Sequence, residues 1–119
     1  MTAKVHPLVV DRDPRANGVV VLALSGELVV TSRDVLRESA ESEIADGARS
    51  IVVAVGGLTH IDTSGLALLV HLAARCAEKG GRLAVAGLKA DSREMRQHLY
   101  LDEAIVFADD VEEAVATLG

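Results

Sequence analysis

The densest group of chemistry-bearing side chains in the chain is the run Leu58-Thr59-His60-Ile61-Asp62-Thr63-Ser64-Gly65-Leu66. At its centre a carboxylate, two hydroxyls and a glycine stand side by side, at Asp62, Thr63, Ser64 and Gly65. A continuous β-branched stretch precedes the run and an apolar helical pattern follows it. The expected setting is therefore the carboxyl end of a buried strand and the first turn of a helix. In open α/β sheets that is where ligands and partners are met. First-turn amides of a helix point outward and carry partial positive charge. An anion held there, including a phosphate on Ser64, would be stabilised. The same residues also have a plainer use, in which Asp62 or Thr63 caps the helix and Ser64 fills its first turn.

Enzymatic chemistry fits this run poorly. Asp62-Thr63-Ser64-Gly65 resembles the Asp-Thr-Gly of aspartic proteases, and a short chain could pair two aspartates by dimerising. Here a serine interrupts the triplet and a helix rather than a strand follows, so a hydrolase using Asp62 is a remote alternative. The chain has no Gly-x-Ser-x-Gly elbow. Gly56-Gly57 and Gly80-Gly81 match neither a dinucleotide-binding nor a P-loop pattern and read as turns or caps. His6, His60, His71 and His98 are scattered and Cys76 has no partner at ligand spacing, so neither a metal nor another cofactor is expected. His71 reads as a hydrogen-bonded packing residue and Cys76 as a small buried hydrophobe. Asp109-Asp110 and Glu112-Glu113 read as a solvated face. The most basic local patch spans residues 89–98. Its Lys89 and Arg93 belong either to an exposed helix or to one rim of a partner surface.

The elements that must position these residues can be read along the chain. With 119 residues, half of them hydrophobic and one quarter charged, residues 1–119 should form a single domain with a real core. A net charge of −6 argues against direct DNA or RNA binding, and Tyr100 and Phe107 alone offer no platform for stacking bases. One cysteine permits no internal disulfide, which suits a reducing cytoplasm. The start of the chain lacks the apolar run of a signal peptide. The most apolar stretch, residues 65–77, is too short to insert across a membrane and carries His71 and Arg75.

Residues 8–10 and 19–24 predict an antiparallel hairpin turning at Asn17-Gly18, with Ser25-Gly26-Glu27 ending the second strand. Thr31 and Asp34 spell a capping box for a helix to about residue 46. Val35, Leu36, Ala40 and Ile44 face inward on it, Glu38, Glu41 and Glu43 face outward, and Gly47 closes it. A doubly buried strand over 50–55 leads to a helix over 64–79, closed by Gly80-Gly81. A strand over 83–86, a short helix over 92–99 and a strand over 104–107 follow. A second capping box, Asp109 with Glu112, opens a last helix to residue 118. This order predicts an α/β fold. Its mixed sheet has about five strands, mostly parallel with an N-terminal antiparallel hairpin, and about four helices pack around it.

In that setting Ile61-Asp62-Thr63-Ser64-Gly65-Leu66 resembles the Asp-Ser-Ser-Gly-Leu signature of STAS domains, the fold of bacterial anti-sigma factor antagonists. Leu24-Ser25-Gly26-Glu27-Leu28 resembles the family's Gly-Glu-Leu after the second strand. Gly80-Gly81-Arg82-Leu83, the region from Leu99 to Ile105-Val106 and the closing Glu113-Ala114 resemble further family features in the same order. The resemblance covers residues 8–118. It implies a STAS-like fold and no enzymatic activity or cofactor. It also implies a cytoplasmic partner switch, acting as a monomer or weak dimer. Ser64 would be the phosphoacceptor, supported by Asp62, Thr63 and Gly65. The partner would be an anti-sigma factor, a serine kinase of the histidine-kinase ATPase fold. Glu27, Lys89 and Arg93 are expected to meet it together with the start of the Ser64 helix, because they lie at strand ends that can cluster. The same fold also serves as a docking subunit in lipid or solute ABC transporters and in stressosomes, which is the alternative role. Phosphorylated members usually carry Asp directly after Gly-Glu-Leu, where this chain has Val29. They also carry an Asp-Leu-Ser in the strand before the signature, matched here to Ala54-Val55-Gly56. Two acids expected near the acceptor are thus absent.

Overall fold

The computed structural model describes residues 7–88 and 105–119. The elements run β1 (Val9–Pro14), β2 (Val19–Leu28), α1 (Arg33–Ala45), β3 (Ser50–Ile61), α2 (Thr63–Glu78), β4 (Leu83–Ala86), β5 (Ile105–Ala108) and α3 (Val111–Leu118). The strands form one sheet in the order β1-β2-β3-β4-β5. β1 is antiparallel to β2 and the remaining pairs are parallel. This is the expected mixed sheet. Three helices are seen among the described residues; the helix predicted over 92–99 lies outside them, together with Lys89 and Arg93.

Alternation along the strands decides the layers. Val20, Leu22 and Leu24 of β2, Ile51, Val53 and Val55 of β3, and Leu83 and Val85 of β4 face α1 and α2. Val19, Val21, Val52, Ala84, Ala86 and Ala108 face the opposite side, where the short α3 packs through Ala114. The parallel crossovers place the N-termini of α1 and α2 together at the carboxyl end of the sheet. The hairpin turns where expected: Asn17 and Gly18 both take positive φ, 63° and 74°, as a two-residue turn between antiparallel strands requires.

Several elements depart from expectation. β2 does not stop at Ser25-Gly26-Glu27 and β3 does not stop at residue 55. The two continue side by side, Ser25 opposite Gly57, Glu27 opposite His60 and Leu28 opposite Ile61, with register irregularities at Ala23/Ser25 and Gly26/Glu27. The glycines are accommodations inside the ladder rather than stops. A Cβ on Gly57 would lie 2.6 Å from the Leu24 carbonyl oxygen. In α1 the N-cap position falls on Ser32 rather than Thr31, and no side chain caps it. The Ser32 hydroxyl instead accepts from the Val29 amide at 3.0 Å and donates to the Glu27 carbonyl at 2.7 Å. The buried face of α1 is Leu36, Ala40, Glu43 and Ile44, while Val35 is 46% exposed. Glu43 was expected outside. It completes an i, i+4, i+7, i+8 stripe, and the Arg12 guanidinium of β1 pairs with its carboxylate through two nitrogens.

The last capping box is also displaced. Asp110, not Asp109, accepts from the Glu113 amide at 2.8 Å. Glu112 is exposed but pairs with Arg15 at 2.9 Å, tying the hairpin to α3. His71 lies on the exposed side of α2 rather than in packing, whereas Cys76 is fully buried as expected. No helix among the described residues is long and apolar enough to cross a membrane.

Candidate functional site

Asp62 organises the carboxyl end of the sheet. Extended backbone at φ −104°, ψ −179° makes it the N-cap of α2. One carboxylate oxygen accepts from the Gly65 amide at 2.9 Å, and the other accepts from the Val30 amide at 3.0 Å. Its own amide donates to the Leu28 carbonyl at 3.2 Å, and its carbonyl accepts from the Leu66 amide at 3.1 Å. A single residue therefore fastens the end of β2 and the β2–α1 loop to the first turn of α2. Partial burial pushes the Asp62 carboxyl upward. Hydrogen bonds from the Gly65, Val30 and Ser64 amides, with the nearby His60, outweigh that and hold it below its ordinary value of 3.8.

This geometry decides between the two expected caps. The cap is Asp62 and not Thr63, which occupies the first helical position and is exposed. An anion at the first turn would compete with the Asp62 carboxylate, which already takes the Gly65 amide, while the Leu66 amide makes the first bond of the helix to the Asp62 carbonyl. Gly65 is buried beneath this turn. A Cβ there would meet the Leu28 carbonyl oxygen at 2.7 Å and the Leu28 Cγ and Ile61 Cγ1 atoms at 2.9 Å, so only glycine lets α2 start this close to β2.

The fold brings Glu27, Val29, Asp62, Thr63, Ser64 and Gly65 to one end of the sheet. Glu27 is half-buried opposite the exposed His60. Ala54 is not part of this group. It sits beside Ala23 and Ala86 inside the sheet, and β3 runs on past it for seven residues, about 20 Å of strand. An acid at Ala54 would not reach Ser64. Among the polar side chains at this end, Ser32, Asp62 and Thr59 are committed to backbone partners, Thr59 donating to the Gly26 carbonyl at 3.1 Å. The half-buried Ser64 hydroxyl has no hydrogen-bond partner among the described residues.

A cleft of about 450 Å³ opens between α1 and α2, lined by Arg33, Asp34, Arg37, Ala67, Leu68 and His71, from the turn of α2 after Ser64 onward. The sequence marks Asp34 and His71 for other roles and does not bring them together, because the cleft exists only once residues some 34 positions apart are set side by side. Deeper along the same seam Arg75 of α2 pairs with Glu41 of α1 at 3.0 Å. Among the described residues no three His, Cys, Asp or Glu side chains converge as metal ligands would.

A five-stranded mixed sheet with an edge hairpin, and a serine in the first turn of the helix after its central strand, define the STAS class of α/β domain. The chain belongs to the STAS domain family, which matches residues 12–114. Solved structures agree. The phosphorylated form of the Bacillus cell fate determinant SpoIIAA superposes with a TM-score of 0.70 at 23% identity, over 92% of this chain and 98% of that one. An anti-sigma factor antagonist from Mycobacterium paratuberculosis gives 0.73 at 18% identity, over 93% of each chain. A STAS domain protein from Planctomyces limnophilus gives 0.75 at 18% identity, over 91% and 96%. At these identities the likeness shows the fold. No curated protein sequence matches the chain significantly.

Proposed function

We propose that this protein is an anti-sigma factor antagonist, binding an anti-sigma factor kinase of the histidine-kinase ATPase fold and thereby releasing a sigma factor. Phosphorylation of Ser64 switches it off. The observation that carries the reading is the half-exposed Ser64 hydroxyl, without a hydrogen-bond partner among the described residues while Asp62, Ser32 and Thr59 are spent on holding the backbone. Family membership and the SpoIIAA-like fold support it.

The partner contacts the start of α2 together with Glu27 and the Lys89 and Arg93 region. The Ser64 Oγ attacks the γ-phosphorus of ATP held by the partner. The Oγ–P bond forms, the bond to the β,γ-bridging oxygen breaks, ADP leaves, and the hydroxyl proton passes to a base of the kinase. This chain supplies the acceptor and spends no nucleotide itself. The new phosphate brings about −1.5 to −2 charges beside the ionised Asp62 and into a tight interface, which drives the partners apart.

Incubation with the cognate kinase and ATP, followed by intact-mass analysis and peptide mapping, tests this. One phosphate is expected on the wild type and none on Ser64→Ala, and Ser64→Asp should no longer capture the kinase from the source cell. Phosphate still appearing on Ser64→Ala, or undiminished capture by Ser64→Asp, would refute it.

A further inference from the structure

A phosphate on Ser64 would compete at the helix N-terminus with the Asp62 carboxylate, which already holds the Gly65 amide. It would also stand beside that residue's carboxylate. Any compensation has to come from a cationic side chain within reach. Ser64, Ala67, Leu68 and His71 fall at i, i+3, i+4 and i+7, so Ser64 lies at the head of the α2 face that lines the cleft.

The register between the two helices locates the cation. Glu41 of α1 pairs with Arg75 of α2, 34 positions on, and both helices run from the carboxyl end of the sheet; Arg33 and Arg37 line the same cleft as Ala67, Leu68 and His71. Carried back along the two helices, the offset of the Glu41–Arg75 pair sets Arg33 near the level of Ala67, three residues beyond Ser64, or about 4.5 Å along the helix axis. Side chains on a helix lean toward its N-terminus, which carries the Arg33 guanidinium back toward the level of Ser64. An extended arginine spans that offset. Of the other charged groups at the cleft, Arg37 is engaged with Asp34 at 3.0 Å, and His71 lies a further turn away. Arg33 is exposed and has no ion-pair partner among the described residues.

We propose that Arg33 receives the Ser64 phosphate in cis, forming a guanidinium–phosphate pair across the mouth of the cleft between α1 and α2. The proposal rests on Ser64 being the phosphoacceptor. Guanidinium presents a planar fork of donors that phosphate oxygens accept two at a time. The pair offsets the repulsion from Asp62 and ties α1 to the start of α2. The phosphorylated chain then holds its phosphate against its own surface instead of presenting it to a partner.

The test uses phosphoserine encoded at position 64, so no kinase is involved. The phosphate's second ionisation, near pH 6 when unperturbed, is followed by phosphorus NMR in the otherwise wild-type chain and with Arg33→Gln, Arg37→Gln or Arg82→Gln added. A neighbouring cation favours the dianion, so the chain retaining Arg33 should titrate about half a unit or more below Arg33→Gln. Arg82, before β4 at the opposite end of the sheet, should be without effect. Superimposable curves for wild type and Arg33→Gln, or a shift removed by Arg37→Gln and not by Arg33→Gln, would overturn the proposal. A kinase that leaves Ser64 unmodified would sink the functional reading alone.

Discussion

Removing the Asp62 carboxylate should unfasten two elements at once. Asp62→Ala deprives the Gly65 amide of its cap and the Val30 amide of the carboxylate oxygen it donates to. Loss of an N-cap costs about 1 kcal/mol. Loss of a second hydrogen bond to a charged acceptor, partly replaced by water at this half-exposed site, costs about another 1 kcal/mol. The expected total is about 2 kcal/mol, or roughly 8 °C in melting temperature for a domain of this size. Asp62→Asn keeps one oxygen but turns an amide toward the second donor, so it should lose about 1 kcal/mol. The pH dependence separates this from a generic packing effect. Because the folded-state carboxyl is held below its ordinary value of 3.8, its contribution is full above that value. It is lost as the pH falls through the lower folded-state value. Urea titrations of wild type and Asp62→Asn at several pH values should show a gap that is constant from pH 7 to about 5 and closes toward pH 3. Equal stability at pH 7, or a gap that persists unchanged at pH 3, would refute the assignment of Asp62 as the ionised fastener.

Gly65→Ala replaces a poor helix former with the best one, yet it should destabilise by about 1–2 kcal/mol because overpacking against the Leu28 carbonyl outweighs the propensity gain. A thermal melt at or above wild type would contradict the close approach of α2 to β2. Burial pushes the Cys76 thiol up to about 11, against the smaller opposing effects of the Ile51 backbone and Arg75. Alkylation at pH 8 should therefore follow global unfolding, and labelling of the native protein at the rate of a free thiol would disprove it. Val29 adjoins the Asp62-bound loop, so Val29→Asp should speed phosphorylation of Ser64 relative to both wild type and Val29→Asn by supplying an acid beside the acceptor. Equal initial rates with one kinase at one salt concentration would show that the acid is irrelevant in this chain.

The sequence by itself determined what depends on neighbours along the chain. Runs such as Val19-Val20-Val21-Leu22 and Ile51-Val52-Val53 are strands in any compact fold, and their alternation with helical periodicity settles a largely parallel sheet with right-handed crossovers. Gly47 and Gly80 take positive φ and close their helices through hydrogen bonds within six residues, so those ends were legible too. The cluster from Asp62 to Gly65 was visible as a run, and so was its place at a strand-to-helix junction. The tertiary structure decided whatever needs a partner 30 or more positions away. β2 and β3 outrun their apolar cores because residues 25–28 and 57–61 satisfy one another's backbone groups. Glu43 is accommodated on the inner face of α1 because Arg12 of β1 meets its carboxylate. Asp62 rather than Thr63 becomes the cap because only Asp62 also meets the Val30 amide, which comes from the loop after β2. Arg33 shares a cleft with Ala67, Leu68 and His71 only through the packing of two helices some 34 positions apart in sequence. Side-chain identity records the capacity to bond, whereas the choice of partner is made where the folded chain brings donors, acceptors and charges within a few ångströms of each other.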